Sequence, residues 1–166
     1  NALLSMGVQP GDRVMLLLPN TPQMVISFFG VLKTGASVVF TLPTTVPDEL
    51  MHQLKDSGSR VLVTLKQFEG IARQARAQPD TPLEQVIFSS AADYLPPIKQ
   101  LGLWFSSKKW KDYGLTQTLE VGMHSFRSML NAQSSHGPEV ELHAKDLAVI
   151  IYTGGTTAAP KGVMLS

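Results

Sequence analysis

Arg13-Val14-Met15-Leu16-Leu17-Leu18 is an almost unbroken apolar run closed by Pro19-Asn20, and Ser37-Val38-Val39-Phe40-Thr41-Leu42 is a second. A strand without polar alternation is one covered on both faces. Between the two runs, residues 22–34 read as a helix, with the Thr21 hydroxyl as its N-cap, Pro22 at its first position and Gly35 as the left-handed residue ending it. Met24, Val25, Ile26, Phe28, Phe29, Val31 and Leu32 make that helix apolar on most sides, so it is expected to pack deep against the sheet. Strand, helix, strand in that order is a βαβ unit, and the pattern continues. Residues 47–57 carry Leu50, Met51 and Leu54 at helical spacing and stop at Gly58. Residues 60–65 are a third strand, 66–77 a third helix with Phe68, Ile71, Ala72 and Ala75 as its buried stripe, and 85–88 a fourth strand. A short helix is expected near residues 124–132, and 146–152 is the last strong strand. The expected fold is α/β: a doubly wound, mainly parallel sheet with flanking helices, spanning 1–166 as one subdomain. In 91–122 the periodicity weakens among Pro96, Pro97, Gly102, Gly114 and Gly122, which marks an insertion or mobile connection.

Composition excludes several classes of function. The 166 residues are 43% hydrophobic and 16% charged, enough apolar material for one packed core. Fourteen Lys and Arg against 13 Asp and Glu leave a formal charge of +1, with no field to hold a nucleic-acid backbone. There is no Cys, which removes disulfides, zinc–thiolate sites and thiol nucleophiles, and fits a reducing cytoplasm. The strongest apolar stretch, 24–32, is stopped by Lys33, well short of the ~20 residues that span a bilayer. Residues 1–11 lack the basic start and apolar run of a signal peptide, and with no initial Met the chain reads as one cut from a longer protein.

The chemistry is expected after the last strand, in Thr153-Gly154-Gly155-Thr156-Thr157-Ala158-Ala159-Pro160-Lys161-Gly162. Two adjacent glycines let consecutive backbone N–H groups converge on an anion. Three Thr hydroxyls and one ammonium stand beside them, a set suited to a polyphosphate: hydroxyls and amides bond oxygens directionally while Lys161 neutralises charge. An ordinary polar turn between two strands is the plainer alternative. A Walker A loop is rejected, because it needs Gly before the Lys, Ser or Thr after it, and a helix next. Here Pro160 precedes Lys161, Gly162 follows, and Val163-Met164-Leu165 is β-compatible, so the segment joins two strands.

The string from Tyr152 to Ser166 resembles the phosphate loop of the adenylate-forming superfamily, which includes acyl-CoA synthetases, luciferases and peptide adenylation domains. The family pattern Tyr-Thr-Ser-Gly-Thr-Thr-Gly-x-Pro-Lys-Gly-Val is met with Gly154 in place of Ser and Ala158 in place of Gly. Gly7-Val8-Gln9-Pro10-Gly11-Asp12-Arg13-Val14, Leu18-Pro19-Asn20-Thr21-Pro22, Lys33-Thr34-Gly35-Ala36 and Leu54-Lys55-Asp56-Ser57-Gly58 are similar to the family in the same order. The resemblance implies a fragment covering about the first third of such an enzyme. Thr153, Gly154, Gly155, Thr156, Thr157 and Lys161 would then hold the β and γ phosphates of ATP. Thr153 or Thr156 would offer an oxygen to Mg²⁺, coenzyme A would be the co-substrate, and the catalytic residues would lie in C-terminal sequence beyond this chain. The implied reaction forms acyl-AMP from ATP and a carboxylate, the fragment alone being inactive. The alternatives are an aryl- or amino-acid adenylating enzyme, or a non-catalytic α/β interaction module that keeps the loop.

Other features carry less. His52, His124, His136 and His143 lack metal-ligand spacing and read as solvated or structural. Ser57 lacks the glycines of a nucleophile elbow and reads as a helix end. Glu139 and Glu141 are expected to face solvent. In 94–113, Leu101, Leu103, Trp104, Phe105 and Trp110 interleave with Lys99, Lys108, Lys109 and Lys111. That suits peripheral contact with a lipid headgroup boundary, but the periodicity is poor and a surface insertion whose aromatics fold back on the core is the plainer reading. After Asp93-Tyr94-Leu95-Pro96 the tract resembles long-chain acyl-CoA ligases, which points to medium or long fatty acids. Apolar faces left uncovered in a fragment would favour self-association.

Overall fold

A computed structural model describes residues 1–94, 120–134, 136–153 and 160–166. Among the described residues seven strands form one sheet: β1 (Arg13–Leu17), β2 (Ser37–Phe40), β3 (Val61–Leu65), β4 (Gln85–Ser89), β5 (Met123–Ser125), β6 (Val149–Thr153) and β7 (Lys161–Leu165). Their order is β5-β4-β3-β1-β2-β6-β7, every neighbouring pair parallel except β6 and β7. The helices are α1 (Ala2–Ser5), α2 (Pro22–Leu32), α3 (Pro47–Ser57), α4 (Glu69–Arg76) and α5 (Phe126–Asn131).

Both sheet faces are covered, as the unbroken apolar strands require. Met15, Leu17, Val39, Leu62, Val86 and Phe88 pack with Leu50 and Leu54 of α3 and Ala72 and Ala75 of α4. The alternate residues Val14, Leu16, Val38, Val63 and Ile87 pack with Val31 of α2 and Phe126 of α5. Helices on two faces of a mainly parallel sheet are the expected doubly wound arrangement. Gly35 closes α2 at φ 75°, where an L side chain is strained, and a Cβ there would also press on Pro10 and Val140 at 3.0 Å.

Four expectations need correction. Helix α2 turns Gln23, Ser27 and Val31 inward and leaves Val25 and Phe29 about half exposed, so its apolar surface is not wholly spent on the sheet. The reason is a long-range bond: the Gln23 side-chain amide donates to the Ser90 carbonyl at 2.8 Å, fixing the helix's rotation. The Thr21 hydroxyl does not cap α2 but donates to the Pro19 carbonyl at 3.2 Å. Residues 124–132 are not all helix, because Met123–Ser125 pairs with β4 as an edge strand and α5 begins only at Phe126, capped by the Ser125 hydroxyl. The helix expected over 66–77 opens as a 3₁₀ turn, Lys66–Phe68, before α4. Of the expected insertion at 91–122, residues 91–94 form a 3₁₀ turn and 120–122 lead into β5, while 95–119 lie outside the described residues. The aromatic and basic tract at 94–113 falls there except for exposed Tyr94.

Where β3 meets α4, Lys66 is buried and its ammonium pairs with Glu69 at 2.5 Å, 5.8 Å from the centre of the Phe88 ring. Arg73 reaches the other Glu69 oxygen at 2.9 Å. Burial opposes ionisation of Glu69, but the hydrogen bonds and charges of Lys66 and Arg73 outweigh it and hold the carboxyl below its ordinary range. A depressed carboxylate supplies stability that is present above the unfolded value of ~4.3 and is lost as pH falls through the folded one. Glu69→Gln should therefore cost about 1–3 kcal/mol at neutral pH by leaving the Lys66 ammonium unpaired. The deficit should shrink on acidification, which urea midpoints at neutral and acid pH would show; a deficit independent of pH would contradict the assignment.

Candidate functional site

Because β1, β2, β3, β4 and β6 run parallel, their carboxyl ends share one edge of the sheet, the edge at which open α/β sheets bind ligands. Strand β6 ends there at Thr153, and β7 starts there at Lys161 and runs back along it. The register pairs Thr153 with Lys161, Tyr152 with Gly162, Ile151 with Val163 and Ile150 with Met164. The Gly/Thr-rich segment thus joins two antiparallel strands, as the rejection of a Walker loop requires. Thr153 and Lys161 are both exposed at this edge, and the Thr153 hydroxyl lies 3.4 Å from the Lys161 carbonyl, to which it donates. Gly154, Gly155, Thr156 and Thr157 lie outside the described residues, so the structure fixes the two ends of the expected site and not its middle.

Behind that edge the strands are braced by α3. Tyr152 is buried, and its hydroxyl donates to Asp56 Oδ2 at 2.6 Å with the Gln53 carbonyl at 3.3 Å. Burial first, and then the Asp56 carboxylate, push the Tyr152 phenol well above its ordinary value, so it remains a protonated donor. Just before the return strand, His52 Nε2 lies 3.3 Å from the Pro160 carbonyl, which can only accept. His52 and Asp56 were missed in the sequence because neither sits in a metal or nucleophile pattern. Their one visible signal is a spacing of four on a helix, which puts them on one face.

Gly162 has a steric reason to be glycine. A Cβ there would stand 2.8 Å from Ile150 Cγ2 and 3.5 Å from the Tyr152 ring, so a side chain forces either Ile150 or the β6–β7 pairing to shift. His124 Nε2 donates to Gln85 Oε1 at 2.8 Å, and His136 Nδ1 lies 3.2 Å from the Ser134 hydroxyl, while Glu139 and Glu141 are exposed as expected. Among the described residues no three His, Asp or Glu side chains gather to hold a metal, and no helix is long and apolar enough to cross a membrane.

With this geometry in place, the comparisons decide the family: the family model described as AMP-binding enzyme matches residues 1–166. The chain belongs to the AMP-binding enzyme family. This family member is 36% identical over 163 residues to a long-chain-fatty-acid–CoA ligase of Bacillus subtilis, and 36% identical over 166 residues to one of Escherichia coli O6:H1. It is covered to 96% and 97% in the two alignments and spans 28% of each relative's length. Among solved structures, the anthranilate CoA ligase AuaEII in complex with anthranoyl-AMP superposes with a TM-score of 0.77 at 26% identity, covering 99% of this chain and 26% of that one. The family's mainly parallel sheet with flanking helices is the architecture observed here.

The steric reading of Gly162 has a direct test. Gly162→Val should destabilise the fold by about 1–3 kcal/mol, the usual cost of overpacking. A lowered urea midpoint is expected, and a midpoint equal to the parent's would show that β7 does not close on Ile150 and Tyr152 as described.

Proposed function

We propose that this chain forms the phosphate-binding corner of an AMP-forming acyl-CoA ligase acting on medium or long fatty acids. The observation carrying the proposal is the turn-back of β7 along β6 at the carboxyl edge, which sets Lys161 beside Thr153 at the two ends of Gly154-Gly155-Thr156-Thr157. In the reaction a fatty carboxylate oxygen bonds to the α-phosphorus of ATP as the α–β bridging bond breaks, giving acyl-AMP and pyrophosphate. The thiol of coenzyme A then displaces AMP to form the thioester. Thr153, Gly154, Gly155, Thr156 and Thr157 donate hydroxyl and amide hydrogens to the β and γ phosphates, and Lys161 neutralises charge that builds on the departing pyrophosphate. Preorganised donors and charge neutralisation are the chain's contribution to rate. Mg²⁺ takes several oxygen ligands, and among the described residues the Thr153 hydroxyl alone does not make a site for it. The fatty-acid reading is supported by what the Bacillus and Escherichia relatives are named for. An aromatic acid is the second reading, favoured by the fit to the anthranilate CoA ligase.

Losing one charge-assisted bond costs ~1.5–3 kcal/mol, so Lys161→Ala in the complete enzyme should slow adenylation roughly ten- to a hundredfold with saturating fatty acid. Fatty-acid affinity should barely move. A rate and apparent ATP affinity equal to the parent's would remove the phosphate reading and leave a family member that keeps the segment without using it. Substituting benzoic or anthranilic acid for the fatty acid in the same assay separates the two substrate readings.

The 166-residue chain by itself should show no ATP–pyrophosphate exchange with any fatty acid, since it spans 28% of the ligases it matches. Exchange by the purified chain, free of contaminating ligase, would refute this.

A further inference from the structure

Helix α3 touches β6, which leads into the Gly/Thr-rich segment, and Pro160, the residue just before β7. Asp56 takes the hydrogen bond of Tyr152, the residue before Thr153, at 2.6 Å. His52, one turn earlier on the same face, reaches the carbonyl of Pro160, the residue before Lys161, at 3.3 Å. We propose that His52 and Asp56 are positioning residues for nucleotide binding, a two-point clamp through which α3 sets the separation of Thr153 and Lys161. The proposal rests on the phosphate reading above and adds to it residues that touch no phosphate.

Three features make α3 a firm base. Leu50 and Leu54 are fully buried in the core, so the helix cannot roll without opening it. Asp48 and Glu49 lie in the first turn and Lys55 in the last, each favourable to the helix dipole. The Ser57 hydroxyl donates to the Gln53 carbonyl at 2.6 Å and sits 2.7 Å from the Ser59 hydroxyl, tying the helix end to the chain entering β3.

Each contact also has the chemistry a clamp needs. The Tyr152 hydroxyl is buried and stays protonated, so it keeps donating to Asp56 at all ordinary pH. Pro160 has no N–H and a fixed φ, so its carbonyl is the polar group through which α3 can hold the return strand. His52 must carry its proton on Nε2 to donate there, a condition met by the imidazolium and by one neutral tautomer. Thr153 and Lys161 directly follow these two held residues in the chain. Fixing the position of binding groups beforehand lowers the entropy lost when a ligand binds. The clamp should therefore act on ATP affinity and leave the carboxylate substrate alone.

The test uses the complete ligase. Asp56→Ala and His52→Ala are each expected to raise the KM for ATP about three- to tenfold, the range for one hydrogen bond, with the carboxylate KM unchanged. Asp56→Asn keeps an acceptor for Tyr152 and His52→Gln keeps a donor for Pro160, so both should restore most of the ATP affinity. Tyr152→Phe removes the hydroxyl and keeps the ring, and should match Asp56→Ala even if that variant folds poorly. Trypsin cleavage after Lys161 should accelerate in the Ala variants, a readout independent of activity. An unchanged ATP KM in both Ala variants, with Lys161→Ala still weakening ATP, would overturn the clamp and spare the phosphate reading. Equal loss in the Asn and Gln variants, with the carboxylate KM raised as well, would reduce the contacts to general stability and also overturn it. If Lys161→Ala leaves ATP untouched, the phosphate reading fails and the clamp with it.

Discussion

Strand β7 doubles back on β6 so that Lys161 faces Thr153, and the missing side chain of Gly162 lets the two strands close over Ile150 and Tyr152. The site depends on that closure. Seven parallel strands would have carried Lys161 to the far edge of the sheet, whereas one antiparallel return keeps it at the carboxyl edge. On the same sheet face the Tyr152 ring packs in the core with Leu50 and Leu54 of α3, and its hydroxyl reaches Asp56.

The remainder of the fold supports that corner from behind. The cores on the two sheet faces are built from alternate residues of the same strands, so β1, β2 and β3 cannot slip by one residue without exchanging faces. Helix α3 is fixed in one of these cores. On the other face, Phe28 stacks on Phe40 at 5.8 Å and meets Phe29 edge-on at 5.1 Å, while Phe29, Ile151, Val163 and Leu165 stay about half exposed. For a chain spanning 28% of its relatives, an apolar surface of this kind is consistent with a larger whole.

Much of this was legible in the residues. The apolar runs at Arg13 and Ser37 identified strands covered on both faces, and Pro47 and Gly58 bounded α3 at the positions observed. Pro160 and Gly162 around Lys161 identified a strand-to-strand connection. What escaped depends on contacts distant in sequence. The inward face of α2 is chosen by a bond from Gln23 to Ser90, and a helix apolar nearly all round offers no local hint of it. Met123-His124-Ser125 has little strand character and is a strand because β4 offers it an edge. His52 meets a carbonyl 108 positions away, so no local pattern could single it out. Thr153 and Lys161 stand in a segment that residue chemistry and a family string both mark; Asp56 lies in another family-like string, Leu54-Lys55-Asp56-Ser57-Gly58, which reads locally as a helix end, and His52 lies in none.

The central claim is that the segment between β6 and β7 holds the β and γ phosphates of ATP. A crystal structure of the complete enzyme with a hydrolysis-resistant ATP analogue tests it most directly. The phosphate reading predicts hydrogen bonds of about 2.7–3.1 Å from the Thr153 to Thr157 segment to the β and γ oxygens, with the Lys161 ammonium beside them. A triphosphate bound elsewhere, with this segment turned to solvent and Lys161 unengaged, would contradict it.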